Sequence, residues 1–103
     1  MATNNSEKNM DKKNHLITLM EDTEGEGLEA TYKCVVIDSL EKAREAQKKV
    51  LYDRLNYWMD KWGYTDDYTL EEIFDISEWG NEIFVETDNG DMFTCEIEEV
   101  EVL

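Results

Sequence analysis

Residues 82–97, EIFVETDNGDMFTCEI, can pair as a β-hairpin in two registers, and the choice between them determines which side chains are buried. A two-residue Asn-Gly turn would pair Val85 with Thr94 and leave apolar side chains on both faces of the hairpin. A three-residue loop with Gly90 in the left-handed conformation pairs Val85 with Phe93 instead, which gathers the apolar side chains on one face. Burial of one face sets the register of a strand pair, so we predict the second arrangement.

The predicted register gives this hairpin an acidic outward face. It places Glu82 directly opposite Glu96, and like charges facing each other across a sheet destabilise it. Carboxylates two residues apart on a strand lie about 6.6 Å apart, and each such pair repels by about 0.6 kcal/mol in bulk-water dielectric. The Glu98-Glu99 doublet interrupts the alternation, so we predict a bulge or bend there. The predicted outward side chains are Glu82, Phe84, Glu86, Met92, Thr94, Glu96 and Glu98.

The first half of the chain predicts a second hairpin and a long helix. His15–Met20 is a short apolar run, and Leu28–Ile37 alternates between apolar and polar residues after a glycine-containing loop. Asp38 and Glu41 have the spacing of a capping box. Apolar residues then recur every three or four positions from about Ser39 to Trp62, with a glycine next in the chain to end the helix.

These elements together predict an α+β domain. A second capping-box spacing precedes a short helix, about Leu70 to Ile76, and 77–81 is predicted to be a turn. The order ββααββ predicts an antiparallel sheet of about four strands, packed on the long helix on one face and open to water on the other. Residues 1–14 are polar and predict a disordered tail, which leaves 15–103 as one small domain.

The charge of the chain is distributed unevenly. The net charge is −16, and no Lys or Arg follows Lys61. Acidity on this scale argues against direct binding to DNA, RNA or an anionic membrane and favours a basic protein surface as partner. The chain contains neither a membrane-length apolar run nor a signal peptide, so we predict a cytoplasmic protein with Cys34 and Cys95 reduced and buried.

Catalytic and metal-binding patterns were sought and not found. The single His15 and two distant cysteines do not make a zinc site, and we expect His15 to be partly exposed at the start of a strand. The loop from Asp22 to Gly27 starts like a calcium-binding loop, but its twelfth position, which requires a bidentate Glu, is Lys33. We therefore predict no enzyme activity, no cofactor and no metal.

Two main functional hypotheses remain, and a small enzyme or calcium binder is a third. In the first, the acidic face imitates the phosphates of a nucleic acid and blocks the basic groove of a nuclease, restriction system, CRISPR effector or DNA-binding protein. Phage or plasmid inhibitors of nucleases and immunity proteins against nuclease toxins share this small size and acidity, which is an analogy of composition only. In the second, the chain is an accessory interaction domain whose partner docks on an apolar patch, and the acidity provides only solubility.

The residues predicted to contact the partner fall into three groups. The primary carboxylates are Glu82, Glu86, Glu96, Glu98, Glu99 and Glu101; the secondary carboxylates are Asp66, Asp67, Glu71 and Glu72; and the apolar anchors are Phe84 and Trp79.

Overall fold

The computed structural model describes residues 14–36, 39–64 and 67–100, which form a five-stranded antiparallel sheet crossed by one long helix. The strands are β1 (Asn14–Asp22), β2 (Glu29–Val36), β3 (Asp75–Trp79), β4 (Glu82–Glu86) and β5 (Met92–Val100), and the helices are α1 (Leu40–Lys61) and α2 (Leu70–Ile73). The order across the sheet is β2-β1-β5-β4-β3. The predicted α+β class is confirmed, whereas the predicted count of about four strands is wrong because β3 was not foreseen.

The register predicted for the C-terminal hairpin is confirmed. Val85 is paired with Phe93, and both are fully buried. The Gly90 N–H donates to the carbonyl of Thr87 at 3.1 Å, and Gly90 has a φ of 89°. The Thr87 N–H donates to the carbonyl of Asp91 at 3.0 Å, which completes the three-residue loop. The left-handed glycine therefore sets which face of β4 and β5 is buried.

Strand β3 replaces the predicted end of the second helix and the turn after it. Helix α2 stops at Ile73, and the chain becomes extended at Phe74, which is buried in the core. Strand β3 then pairs with β4, from Asp75 opposite Glu86 to Trp79 opposite Glu82. Pairing satisfies the backbone of an edge that would otherwise be open, and this tertiary gain outweighs the local helix signal.

Helix α1 is capped one residue later than predicted. Its N-cap is Ser39, whose hydroxyl oxygen accepts a hydrogen bond from the Lys42 N–H at 3.1 Å. The assignment of the cap to Asp38 is therefore wrong, and Asp38 itself lies outside the described residues. The predicted end is confirmed: Gly63 has a φ of 82°, and its N–H donates to the carbonyl of Asp60 at 3.1 Å.

The hydrophobic core lies between α1 and the inner face of the sheet. The buried apolar side chains are Ile17, Leu19, Ala43, Leu51, Leu55, Trp58, Met59, Phe74, Ile83, Val85, Phe93, Cys95 and Ile97. The core also contains one amide, that of Gln47, whose Nε2 donates to the carbonyls of Asn81 and Cys95 at 2.9 and 2.7 Å. This amide fixes the start of α1 over β4 and β5. His15 is only 3% exposed, so the expectation that it is partly exposed is wrong.

Irregularities of the sheet lie where they were not predicted. Strand β5 pairs with β1 without interruption as far as Asn14 opposite Val100, so the expected bulge at Glu98-Glu99 is absent from this pairing. The register shifts instead between β1 and β2, at Leu19/Met20. Asn14, assigned to the tail from the sequence, is the first residue of β1, and residues 1–13 lie outside the described part.

Strand β2 is an edge strand with little burial. Of the apolar face predicted for it, Cys34 and Val36 pack against the core, while Tyr32 remains 43% exposed. Leu28 precedes the strand, and the bulge moves Ala30 to the opposite face. Neither described helix has the length and apolar character needed to cross a bilayer.

Candidate protein-binding face

The candidate site is the outward face of the sheet, the side away from α1. Alternation along each strand and the cross-strand register define it, and both follow from the observed pairing. Side chains opposite one another on adjacent strands form rows that cross the sheet. The middle row is apolar or neutral and comprises Met20, Thr94, Phe84 and Ser77. All four side chains are half-buried, so this row is partly open to solvent.

An acidic row lies on one side of the middle row. Its members, from β1 to β3, are Thr18, Glu96, Glu82 and Trp79. The pair Glu82–Glu96 is opposed as predicted, and Glu98 continues the charge two residues further along β5, opposite Leu16. Trp79 is 77% exposed at the end of the row. We call this the Glu82–Glu96 row.

A second acidic row lies on the other side of the middle row. Its members are Asp22, Met92, Glu86 and Asp75, in order from β1 to β3. Glu86 and Asp75 are directly opposed, which makes a second like-charge pair across the sheet. Asp75 was missed because its strand was missed. We call this the Asp75–Glu86 row.

The separation of the two rows follows from strand geometry. Glu82 and Glu86 are four residues apart on β4, which corresponds to about 13 Å. The face therefore presents two parallel rows that carry carboxylates, one on each side of the middle row.

Basic side chains are concentrated on the other side of the molecule. In the described residues, Lys33 is the only base on the outward face, next to Thr18 at the β2 edge. Helix α1 carries the other six described bases: Lys42, Arg44, Lys48, Lys49, Arg54 and Lys61. Some of these are paired locally; Lys49 binds Asp53 at 2.8 Å, for example. Charge is thus distributed unevenly over the described structure, with the acidic face on the opposite side from the more basic helix α1.

Some predicted site residues lie away from this face. Alternation places Glu99 on the helix side, opposite His15. Glu72 caps α2, accepting from the Thr69 N–H at 3.4 Å, and Glu71 and Glu72 border a hollow of about 470 Å³ that also touches Glu86. The secondary carboxylates Glu71 and Glu72 are thus near the Asp75–Glu86 row. Asp67 lies in the turn before α2.

Two predicted partner residues, Asp66 and Glu101, lie outside the described residues. Conversely, Leu16, Met20 and Asp22 belong to the face but were not assigned to it from the sequence. The signal was present in the alternation of β1, where Ile17, Leu19 and Glu21 are buried while Leu16, Met20 and Asp22 are only half-buried.

The one carboxylate buried beneath the helix is structural. Glu21 is 6% exposed and accepts from both Nε (3.0 Å) and Nη2 of Arg54 and from the indole N–H of Trp58 at 2.8 Å. Hydrogen bonding to this carboxylate raises the pKa of Arg54. Because all these partners are internal, Glu21 is committed to holding α1 against β1.

The described residues offer few groups for nucleophilic catalysis or for metal binding. Burial raises the pKa of the Cys95 thiol to about 12, which suppresses its thiolate. Cys34 is half-buried and also free. Within the described ranges, no three His, Cys, Asp or Glu side chains are grouped so that they could hold a metal ion.

Comparison with protein-family models, with curated protein sequences and with solved structures found no match to this chain.

Proposed function

We propose that this protein is a non-enzymatic inhibitor whose outward sheet face occupies a basic groove of a nucleic-acid-binding protein. A nuclease, restriction enzyme, CRISPR effector or DNA-binding protein would supply such a groove. The observation that carries the proposal is the pair of acidic rows, about 13 Å apart by strand geometry, with Lys33 as the only described base on the face. The carboxylates take the place of phosphates, and electrostatic steering speeds the encounter.

The arrangement of these charges supports a role beyond solubility. Solubility requires net charge but does not require like charges to face each other, which costs stability. Here both Glu82–Glu96 and Asp75–Glu86 are opposed. One Lys in place of either partner would turn repulsion into attraction. The retained pairs are explained if the energy is recovered on binding to a cationic surface.

The middle row supports a protein partner over a free cation. Half-buried Phe84 and Met20 offer apolar surface between the two acidic rows. Lys and Arg side chains present apolar stems below their charged heads, so a basic groove matches this alternation of apolar and acidic rows. Buried aromatic anchors surrounded by a polar rim are also the usual source of interface energy.

A second candidate function is an accessory interaction domain with an apolar partner. The exposure of Trp79 favours it, since 77% of that residue is accessible at the edge of the face. In this alternative the partner covers Trp79 and Phe84, and the acids only keep the chain soluble.

The test compares two variants with the same change of charge. The face variant carries Glu→Gln at Glu82, Glu86, Glu96 and Glu98. The control variant carries Glu26→Gln, Glu41→Gln, Glu45→Gln and Asp60→Asn, positions away from the outward face. Each is titrated against a panel of purified nucleases and DNA-binding proteins preloaded with fluorescent duplex DNA, from 50 to 300 mM salt.

We expect the wild type and the control to displace DNA from at least one member, with affinity falling steeply as salt rises. The face variant should show a flatter salt dependence than the control variant and lose most of its affinity. If both quadruple variants lose affinity equally, net charge alone explains the binding. If only Trp79→Ala or Phe84→Ala abolishes binding and DNA does not compete, the accessory-domain function is correct.

A further inference from the structure

A hollow of about 570 Å³ lies where the two hairpin loops meet the end of α1. Trp62 and Tyr64 line it from the helix end. Asp22, the last residue of β1, and residues of the β1–β2 and β4–β5 loops supply the rest of the lining; the loop residues are Glu24, Gly25, Asn89, Gly90 and Asp91. Asp22 also belongs to the Asp75–Glu86 row, so the hollow opens beside the proposed binding face.

The hollow is held in shape by one hydrogen bond between its two loops and by further bonds within each hairpin. Asp91, only 9% exposed, accepts from the Glu24 N–H at 3.0 Å and from the Thr87 hydroxyl at 3.2 Å. The Asp22 carboxylate accepts from the Gly27 N–H at 3.2 Å and so closes the first loop on itself. Because the loops are already tied together, a ligand would spend little energy in ordering them.

The aromatic wall is equally well supported. The Trp62 ring packs against Trp58 with centroids 5.3 Å apart and against Phe74 at 6.1 Å. Tyr64 meets Tyr68 edge to face at 5.5 Å and remains 37% exposed. Aromatic rings attract cations through their quadrupole. This attraction selects for charge independently of the nearby carboxylates.

The polar lining points to the same kind of ligand. The Glu24 carboxylate is exposed and makes no hydrogen bond or ion pair with the described residues. Of the described residues that line the hollow, none is Lys, Arg or His. Lys61, close by in sequence, instead lies over the Trp58 ring at 4.6 Å. The described lining therefore offers aromatic and anionic groups and no cation.

We propose that this hollow receives one Lys or Arg side chain of the partner, an inference that rests on the proposed function. A basic groove lying on the outward face would have cationic residues at its border, next to Asp22. The inserted side chain would anchor the complex at the loop end of the sheet and contribute specificity that the two acidic rows lack.

The test uses the ¹⁵N-labelled full chain and small probes, so that it does not depend on finding the partner. The probes are the N-acetyl methylamides of arginine, lysine and uncharged norleucine. Shifts of the Gly25 and Gly90 amides and of the Trp62 indole N–H report binding. We expect millimolar binding of the cationic probes, about threefold or more tighter than norleucine, as a single cation–π contact gives.

Substitutions identify the groups responsible. Glu24→Gln and Tyr64→Leu should each weaken the cationic probes about threefold. Glu26→Gln, in the same loop but outside this hollow, should leave their affinity unchanged and serves as the matched control. The inference is overturned if norleucine binds equally well, if Glu26→Gln has the same effect as Glu24→Gln, or if the shifts spread evenly over the acidic surface.

The same probes separate the two proposals. The face variant of the preceding section retains the hollow, so it should bind the cationic probes normally even if it no longer displaces DNA. If the wild type binds the probes normally but displaces DNA from no panel member, the proposed function is refuted and the hollow remains a cation site. Displacement by the wild type without probe binding refutes the hollow alone.

Discussion

Replacing Glu96 with Gln should stabilise the fold, because Glu96 faces Glu82 across β4 and β5. At about 5.5 Å, a spacing usual for opposed residues, two charges repel by about 0.75 kcal/mol in bulk-water dielectric. Screening at physiological salt, with a Debye length of about 8 Å, leaves about 0.4 kcal/mol. Lys33 lies two strands from Glu96, about 9.6 Å away, and its screened attraction of about 0.1 kcal/mol does not change the sign.

The expected result is a rise in Tm of about 2–3 °C for Glu96→Gln. Glu96→Lys should give roughly twice that, because attraction replaces repulsion. The assay is thermal unfolding followed by circular dichroism, in 20 mM, 150 mM and 1 M salt. Since the Debye length falls to about 3 Å at 1 M salt, the differences from wild type should nearly vanish there.

Glu45→Gln is the matched control for this prediction. It makes the same change of net charge, but Glu45 lies on α1 between Glu41, four residues earlier, and Lys49, four residues later. The repulsion and the attraction that are lost offset each other, so its removal should be close to neutral. If Glu45→Gln stabilises as much as Glu96→Gln, the effect is one of net charge and not of the opposed pair. A loss of stability in Glu96→Gln, or a gain that persists at 1 M salt, refutes the reasoning.

Two further predictions concern the interior. Arg54→Met leaves the buried Glu21 carboxylate with only the Trp58 indole N–H, and should cost about 3 kcal/mol in urea denaturation; adding Glu21→Gln should restore part of that loss, and a double variant no more stable than Arg54→Met would contradict a charge-driven cost. For Cys95, burial raises the pKa of the thiol to about 12, so the folded state keeps its proton while the unfolded thiol loses it above about pH 8.5. Stability should therefore fall as pH rises from about 9 to 12, by up to about 1.4 kcal/mol per pH unit; a Cys95→Val variant should lack this component, and equal pH slopes for both proteins would contradict it.

The C-terminal hairpin could be predicted from the sequence because two local signals agreed. The left-handed glycine at Gly90 and the need to bury Val85 and Phe93 on one side both required the same register. Glu82 opposite Glu96 followed from that register alone. Helix α1 could also be predicted from the sequence, since its apolar stripe is long and Gly63 ends it.

Strand β3 could not be predicted, because the local signals there compete. The capping box of Thr69 and Glu72 forms and does start a helix, but Phe74 is taken into the core after a single turn. What converts the next residues into a strand is the vacant edge of β4, which only the assembled sheet provides. Because β3 was not predicted, the second like-charge pair, Asp75–Glu86, was not predicted either.

The hollow between the two hairpin loops and the end of α1 could not be predicted from the sequence either. Asp22 and Glu24 were considered as a calcium-binding loop, and Trp62 and Tyr64 belong to the end of a distant helix. Only the hydrogen bond from the Glu24 N–H to Asp91, across 67 positions of sequence, shows that the two loops meet. Long-range contacts of this kind leave no periodic trace in a single chain.

The register shift between Leu19 and Met20 has a consequence for self-association. It leaves Thr31 as an extra residue in β2, and an extra residue of this kind twists the outermost strand out of plane. A straight edge strand with unpaired N–H groups can hydrogen-bond to another copy of the chain and so start a fibril. The twist makes this edge less straight and therefore a poorer template. A short, charged β3 has the same effect at the opposite border, so neither margin of the described sheet offers another copy a long, straight edge.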